Sequence, residues 1–566
     1  MVNTRTAVGG LRRLAAVGVA GAVALSMAAC AQSQRGNNDG SSGGGKVGGT
    51  LTFGSEGAPK LFDPFYATDG PTFRIAHQMF EGLTGFKPGT AEVTPALAER
   101  WEQTPDGRTW TFQLRKGVKF HDGTEFNADA VCRNFQRMAG QTGAGQSSAV
   151  SQYWVDNFGG FADGAKPSLF RSCTAKEPHT AVIELTRSTS KFPGVLGLKP
   201  FAMQSPTALE KYNANNVQAQ GDSFSFPEYA LQHPTGTGAF RFSKYDKANN
   251  TVELVRFDDY WGGKSKLDKL VYKIIPDETA RKQELQSGAI DGYDYPAPAD
   301  WAQLEKDGFQ VLKRPAFNIM YLGFTQKNNE KLRDLKVRQA IAHAVNREQL
   351  VKTQLPDRAQ VASQFFPDTV DGYNKDLKAI PYDPEKAKQL LAEAGASGLS
   401  VNFYWPSEVT RPYMPNPKDI FGAIKADLEK VGIKVNPVTK PWNGGYLEDV
   451  DQAKADLFLL GWTGDQNTPD NFIGTFFGDP TNRFHTASAS WGAQLASELK
   501  SADEEPDAGK RTKRYQDLNR KIVEEYLPAV PLSHSPPAVV FRKDVKGFTA
   551  SPLTSTGESF AQVSKG

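Results

Sequence analysis

Three cysteines, seven histidines and a few charged residues in motif-like settings are the groups of this 566-residue chain that could carry chemistry. Cys30 closes a short apolar run and follows Met27-Ala28-Ala29. Arg5, Arg12 and Arg13 supply a positive n-region, Leu14 to Leu25 an apolar stretch too short to span a bilayer, and Ala28-Ala29 the small residues of a cleavage site. The pattern predicts a lipoprotein signal peptide over residues 1–29, with acylation at the Cys30 thiol. The alternative on the same residues is an ordinary secretory signal with an unused cysteine; in both, the protein is exported. Cys132 and Cys173 are left as one pair, which in an exported chain is expected to oxidise to a disulfide, the alternative being two buried free thiols. A hydrolase would need a nucleophile, its base and an oxyanion site. The histidines, from His77 and His121 to His485 and His534, form no His-Glu-x-x-His and no close pair that spells a metal site. The expectation is therefore no enzyme, no metal and no cofactor.

These groups must be held by a large body. The formal net charge is +3, supplied by Arg5, Arg12 and Arg13, so the chain beyond the signal balances near zero. That argues against nucleic acid or an anionic membrane surface as partner. No second apolar run of about eighteen residues follows. Residues 31–48, rich in Gly, Ser and Asn, have little to bury and read as a flexible spacer behind Cys30. Gly40 to Lys46 nearly spells a phosphate-binding loop, but Val47 stands where Ser or Thr is required. Beyond the spacer, strand-like and helix-like segments alternate irregularly. Thr109 to Leu114 and Thr180 to Leu185 have the β-branched and aromatic content of strands. Asp383-Pro384-Glu385 opens a helix that stops at Gly395. Ile420, Ile424, Leu428 and Val431 share a helical face that ends at Gly432 and feeds a short strand, Ile433 to Val435. The domains are mixed α/β.

The stretch Pro95-Ala-Leu-Ala-Glu-Arg-Trp101, followed by Pro105-Asp106-Gly107 and Thr109 through Gly123, closely resembles a motif of bacterial extracellular solute-binding proteins. That family comprises the dipeptide, oligopeptide and nickel receptors of ABC importers. Pro234 to Phe240, Asp259-Tyr260-Trp261-Gly262, Val337-Arg338-Gln339-Ala340 with Ala344-Val345-Asn346, and Tyr382 to Ala387 match in the same order. The resemblance implies an α/β, two-lobed periplasmic-binding-protein-like fold of class II (cluster C). Lobe I is expected over residues 49–312 and 530–566, with an inserted subdomain at about 84–200, and lobe II over 313–529. A hinge of two crossing strands is expected near Phe317 to Phe324 and Leu527 to His534. The implied partners are a small ligand in the cleft and an ABC permease with cytoplasmic ATPases, the chain itself acting as a monomer tethered by its lipid outside the cytoplasmic membrane.

Two further segments resemble the dipeptide-binding branch: Thr410-Arg411-Pro412-Tyr413-Met414-Pro415-Asn416, and Gly461-Trp462-Thr463-Gly464-Asp465 through Phe472. By that match Arg411 takes the peptide's terminal carboxylate and Asp465 its terminal ammonium. The chemistry is apt, because a buried zwitterion needs both charges paired and a guanidinium fork suits a carboxylate. Trp442, Tyr446, Trp462, Tyr413 and Gly464 are expected around the ligand, with Ser55, Glu56 and Thr68 bordering it from lobe I. The branch has a second acid where Thr468 stands, and Met414 and Pro417 alter the arginine loop. On the same scaffold, a nickel complex, haem or a sugar is the alternative ligand.

Overall fold

A computed structural model describes residues 48–566 apart from 222, 555, 556 and the side chain of residue 443. Cys30, the signal segment and all of the spacer but residue 48 lie outside the described residues.

In Thr109–Leu114 and Thr180–Leu185 side chains alternate between surface and core, as a half-buried strand requires. Asp383 caps Pro384–Glu393 by accepting from the Lys386 amide at 2.9 Å, and Asn416 caps Pro417–Lys430, which buries Ile420, Phe421, Ile424 and Leu428. In both helices proline takes the first turn, where its missing N–H costs nothing.

One lobe is built on a seven-stranded sheet in the order Phe240–Asp246, Thr251–Arg256, Lys269–Ile274, Thr50–Ser55, Gly292–Asp294, Ala538–Phe541 and Gln310–Lys313. Thr50–Ser55 runs parallel to both of its neighbours. Inserted in this lobe is a four-stranded antiparallel sheet, Ala98–Gln103, Thr109–Leu114, Thr180–Leu185 and Phe170–Glu177. Helix Ala128–Ala139 packs on it and is joined to the last strand by a Cys132–Cys173 disulfide. The family-like motifs converge where insert and lobe meet. Glu81 is half-buried and accepts hydrogen bonds from Tyr260, Trp261 and Thr237, each at 2.8 Å. His121 meets the backbone of Gly236 and Gly238. These motifs therefore specify how the lobe is packed.

The other lobe holds a six-stranded sheet in the order Gln360–Val361, Ala529–His534, Asn318–Phe324, Leu457–Thr463, Ser400–Ser407 and Lys434–Pro441. Helices Leu335–Ala344, Pro384–Glu393 and Pro417–Lys430 cover one face. Helices Ile473–Phe477, Gly492–Asp503 and Ala508–Arg520 cover the opposite one. Lys434–Pro441 pairs over eight residues with Ser400–Ser407, extending well past the short strand expected at Ile433 to Val435.

The sheets are joined by two crossings, residues 314–317 and 535–537. Strand Ala529–His534 pairs in the second sheet along its length, so the C-terminal crossing falls later than the expected boundary at 530. The crossings are tied together: the Arg314 amide donates to the Pro537 carbonyl at 2.8 Å, and the Asn318 side chain donates to Ser535 O at 2.7 Å while accepting from Ser535 N at 2.9 Å. Fully buried Arg314 is paired with Glu558 through two bonds of 2.7 and 2.8 Å and with Asp294 at 2.7 Å. Asp294 also holds Arg74. Burying so many charges is tolerable only because each is paired.

Candidate functional site: an interlobe cleft

Strands Ser400–Ser407, Lys434–Pro441 and Leu457–Thr463 are parallel, so their C-terminal ends emerge at one edge of the sheet. Beyond those ends lie Arg411, Trp442 and Gly464-Asp465 respectively. A crevice at the carboxyl ends of parallel strands is the usual ligand position in open α/β sheets. In the first lobe the parallel strand Thr50–Ser55 likewise ends on Ser55-Glu56.

Asp465 is placed by tight packing. A side chain on Gly464 would stand 2.3 Å from Phe317 and 2.6 Å from Phe472, so only glycine allows the chain to turn there. The Asn471 side-chain oxygen accepts from the Asp465 amide at 2.8 Å and from the Trp462 indole at 3.4 Å. Burial pushes the Asp465 carboxyl up to about 7, and nearby Asp156 adds to this, while hydrogen bonds from Asn471 and Tyr153 oppose it. Tyr153 belongs to helix Gln152–Phe158 of the inserted subdomain, so the groups that set the Asp465 carboxyl come from both lobes. Asp69 is among the charges Tyr153 feels, which brings the Thr68-Asp69-Gly70 loop to the same cleft.

Arg411 sits in a turn closed by paired hydrogen bonds between its backbone and that of Met414, at 3.0 and 3.1 Å. Its guanidinium lies 4.1 Å from the Trp442 ring centre, a cation–π contact that orients the fork. Trp442 in turn stacks on Tyr446. Tyr446 is fully buried and its hydroxyl is committed to the Leu459 carbonyl, so it supports the wall from behind. Tyr413 is also buried, its ring filling the space that a Cβ on Gly461 would take; burial pushes its hydroxyl up to about 12. Ser55 turns its hydroxyl onto Gly57 O at 2.9 Å, and Thr68 receives a long 3.5 Å contact from Lys60.

Several buried polar atoms on these segments have no protein partner: Glu56 Oε2, Arg411 Nε, Gln466 Oε1, Asn467 Oδ1 and Thr468 Oγ1. Unsatisfied buried groups are costly, and a polar guest at these segments would offer them partners. Beside Gly461 and Trp462, a cavity of about 340 Å³ extends along Tyr321, Phe476 and Arg483. Tyr153 and Arg483 carry no motif in the sequence, and only the fold brings them to this place.

The sequence profile of bacterial extracellular solute-binding proteins, family 5 (middle region), matches residues 92–484. The chain belongs to this family. This family 5 protein is 35% identical over 517 residues to the dipeptide-binding protein of Escherichia coli (strain K12), covering 89% of the present chain and 92% of that one. It is 32% identical over 549 residues to heme-binding protein A of Haemophilus influenzae, covering 94% and 96% of the two chains. Among solved structures, an ABC transporter-associated periplasmic binding protein from Helicobacter pylori in complex with the peptide STSA superposes with a TM-score of 0.72 at 28% identity, covering 92% of this chain and 98% of that one. No helix among the described residues is long and apolar enough to cross a membrane.

Proposed function

We propose that this protein is the substrate-binding lipoprotein of an ABC importer and captures short peptides, dipeptides foremost, between its lobes. The observation that carries the reading is the pairing of opposite charges on one sheet edge. Arg411, with an unpartnered Nε, is oriented by Trp442, and Asp465 is held by Asn471. Arg411 takes the terminal carboxylate and Asp465 the terminal ammonium. Fixing both ends measures length, since each added residue displaces one terminus by up to about 3.3 to 3.6 Å. Trp462 and the adjoining cavity leave room for side chains of varied shape, and the orphaned polar atoms of Glu56, Gln466, Asn467 and Thr468 meet the peptide backbone or its waters. Signal cleavage before Cys30 and acylation of its thiol hold the receptor on the outer face of the cytoplasmic membrane, with residues 31–48 as a tether. The loaded monomer docks on a permease whose ATPases supply the energy.

The family likeness to a haem-binding protein makes haem the principal rival ligand, ahead of nickel complexes and sugars. Calorimetry against dipeptides, tripeptides, longer peptides, haem and nickel separates them. Binding of dipeptides, weakened by C-terminal amidation, is the expected result; binding of haem or nickel with no response to any peptide would overturn the assignment. Membrane fractionation checks the anchor: Cys30→Ser is expected to release the protein without changing its ligand affinity.

A further inference from the structure

Away from the ligand-facing residues, the inserted subdomain meets the second lobe through a polar segment, Arg187 to Gly194, which follows strand Thr180–Leu185, while Ala91 makes an apolar contact elsewhere. Its opposite number is a carboxylate, Asp503, at the end of helix Gly492–Asp503 and only 3% exposed. Asp503 accepts from Thr189 Oγ1 at 2.8 and 3.0 Å, from Ser190 Oγ at 2.9 Å, from the Ser190 amide at 3.1 Å and from Arg187 Nη1 at 3.2 Å. The Ser190 amide also reaches the Asp503 carbonyl at 3.0 Å. Two residues along, Lys191 Nζ meets Asp470 Oδ2 at 2.9 Å, both side chains being about 15% exposed. Gly194 completes the fit, because a Cβ there would stand 2.3 Å from Gln466 Oε1.

We infer that Arg187, Thr189, Ser190 and Lys191, engaging Asp503 and Asp470, form a latch that holds the two lobes closed without touching the ligand. The latch bonds cross the lobe boundary, so rotation about the crossings at 314–317 and 535–537 has to break them. A carboxylate with this many donors is well satisfied when closed and loses them all at once when open. Such contacts act on the closing equilibrium itself. They raise the population of the binding-competent form before any ligand arrives, and apparent affinity scales with that population. The latch is also joined to the binding site in sequence, since Asp470 precedes the Asn471 that holds the Asp465 amide and the Trp462 indole. Lys191 and Asp503 are positioning residues for ligand capture in this sense, an inference that rests on the cleft-receptor reading.

The test uses the full chain in detergent. Ketone-bearing residues at the exposed positions Glu177 and Glu385, one on each lobe, take spin labels and leave the cysteines untouched. Without peptide, the interlobe distances of the parent protein are expected to include a short, closed component. Lys191→Met combined with Asp503→Asn should shift that component to longer distances and weaken dipeptide binding about tenfold, while Lys191→Arg should behave as the parent. Should the double variant fold poorly, Lys191→Met alone makes the same comparison. Identical distance distributions, or a shifted distribution with unchanged affinity, would overturn the latch. If the parent binds no dipeptide, the peptide assignment fails, and the distance measurement still decides the latch.

Discussion

Burial holds the Asp465 carboxyl at about 7, so a cation set against it would move its titration. A peptide ammonium placed against it favours the charged form and lowers that value. Between the two values, binding expels a proton, so affinity rises with pH and levels off above about 7. Below that, the gain approaches tenfold per pH unit. The ammonium itself deprotonates near about 8 and sets the upper limit. Calorimetry of a dipeptide from pH 5 to 8 should show this rise in the native protein, and Asp465→Asn should abolish it; a flat native profile would remove Asp465 from the ammonium role. Arg411 has the complementary prediction. Arg411→Ala leaves a carboxylate unpaired in the cleft and should weaken a free-acid dipeptide by roughly 2 to 5 kcal/mol. The C-terminal amide, already weak, should lose little more, and equal losses for both would show that Arg411 does not read the carboxylate. These two candidates stand out in the sequence because each sits inside a run of matching neighbours. Tyr153 does not, because its helix has no composition that sets it apart and its partner Asp465 lies more than three hundred positions away.

Elements were legible where burial is one-sided. Thr109–Leu114 alternates and Pro417–Lys430 buries one stripe, so period and caps point to the right structure. Lys434–Pro441 was legible only at its start, because beyond Val435 it buries almost nothing and is held by backbone pairing with Ser400–Ser407. Such a strand leaves no hydrophobic period to read. The turn at Trp442–Tyr446, with Gly445 at φ 101°, is set by local geometry. The Cys132–Cys173 bond is the strongest element-level staple, fastening helix Ala128–Ala139 to strand Phe170–Glu177 across 41 positions. Closing a loop of that length removes denatured-chain entropy worth roughly 3 to 4 kcal/mol. The Cys132→Ser, Cys173→Ser variant should therefore melt earlier in calorimetry, through a transition assigned to the first lobe, with dipeptide affinity at 25 °C unchanged. An identical melting profile would mean that helix and strand are held by packing alone.

At the scale of the whole molecule, two sheets are joined by two short crossings, and any rotation about such crossings would concentrate its dihedral changes in a few residues. The collinear motifs foretold two crossing strands, but motifs carry no information on which bonds brace them. That information lies in contacts between residues more than two hundred positions apart, of which Asn318 with Ser535 is the clearest. Both residues are fully buried, and the Asn318 amide satisfies the N–H and the C=O of Ser535 together, while His534 Nδ1 meets the Asn318 carbonyl at 2.6 Å. Asn318→Ala leaves two backbone groups without partners in a dry place, at a cost of roughly 1 to 3 kcal/mol for each. Asn318→Asp keeps the acceptor but turns a carboxylate oxygen onto the Ser535 carbonyl in the same dry place, so its effect should be larger still. Both variants should melt below the native protein, Asn318→Asp the lower, and small-angle scattering should show a smaller contraction on adding dipeptide, because a loosened brace spreads the closed form over a range of angles. If Asn318→Ala melts with the native protein and contracts as fully, the crossings are held by the Arg314–Asp294–Glu558 charges instead, and Glu558→Gln becomes the variant expected to loosen them.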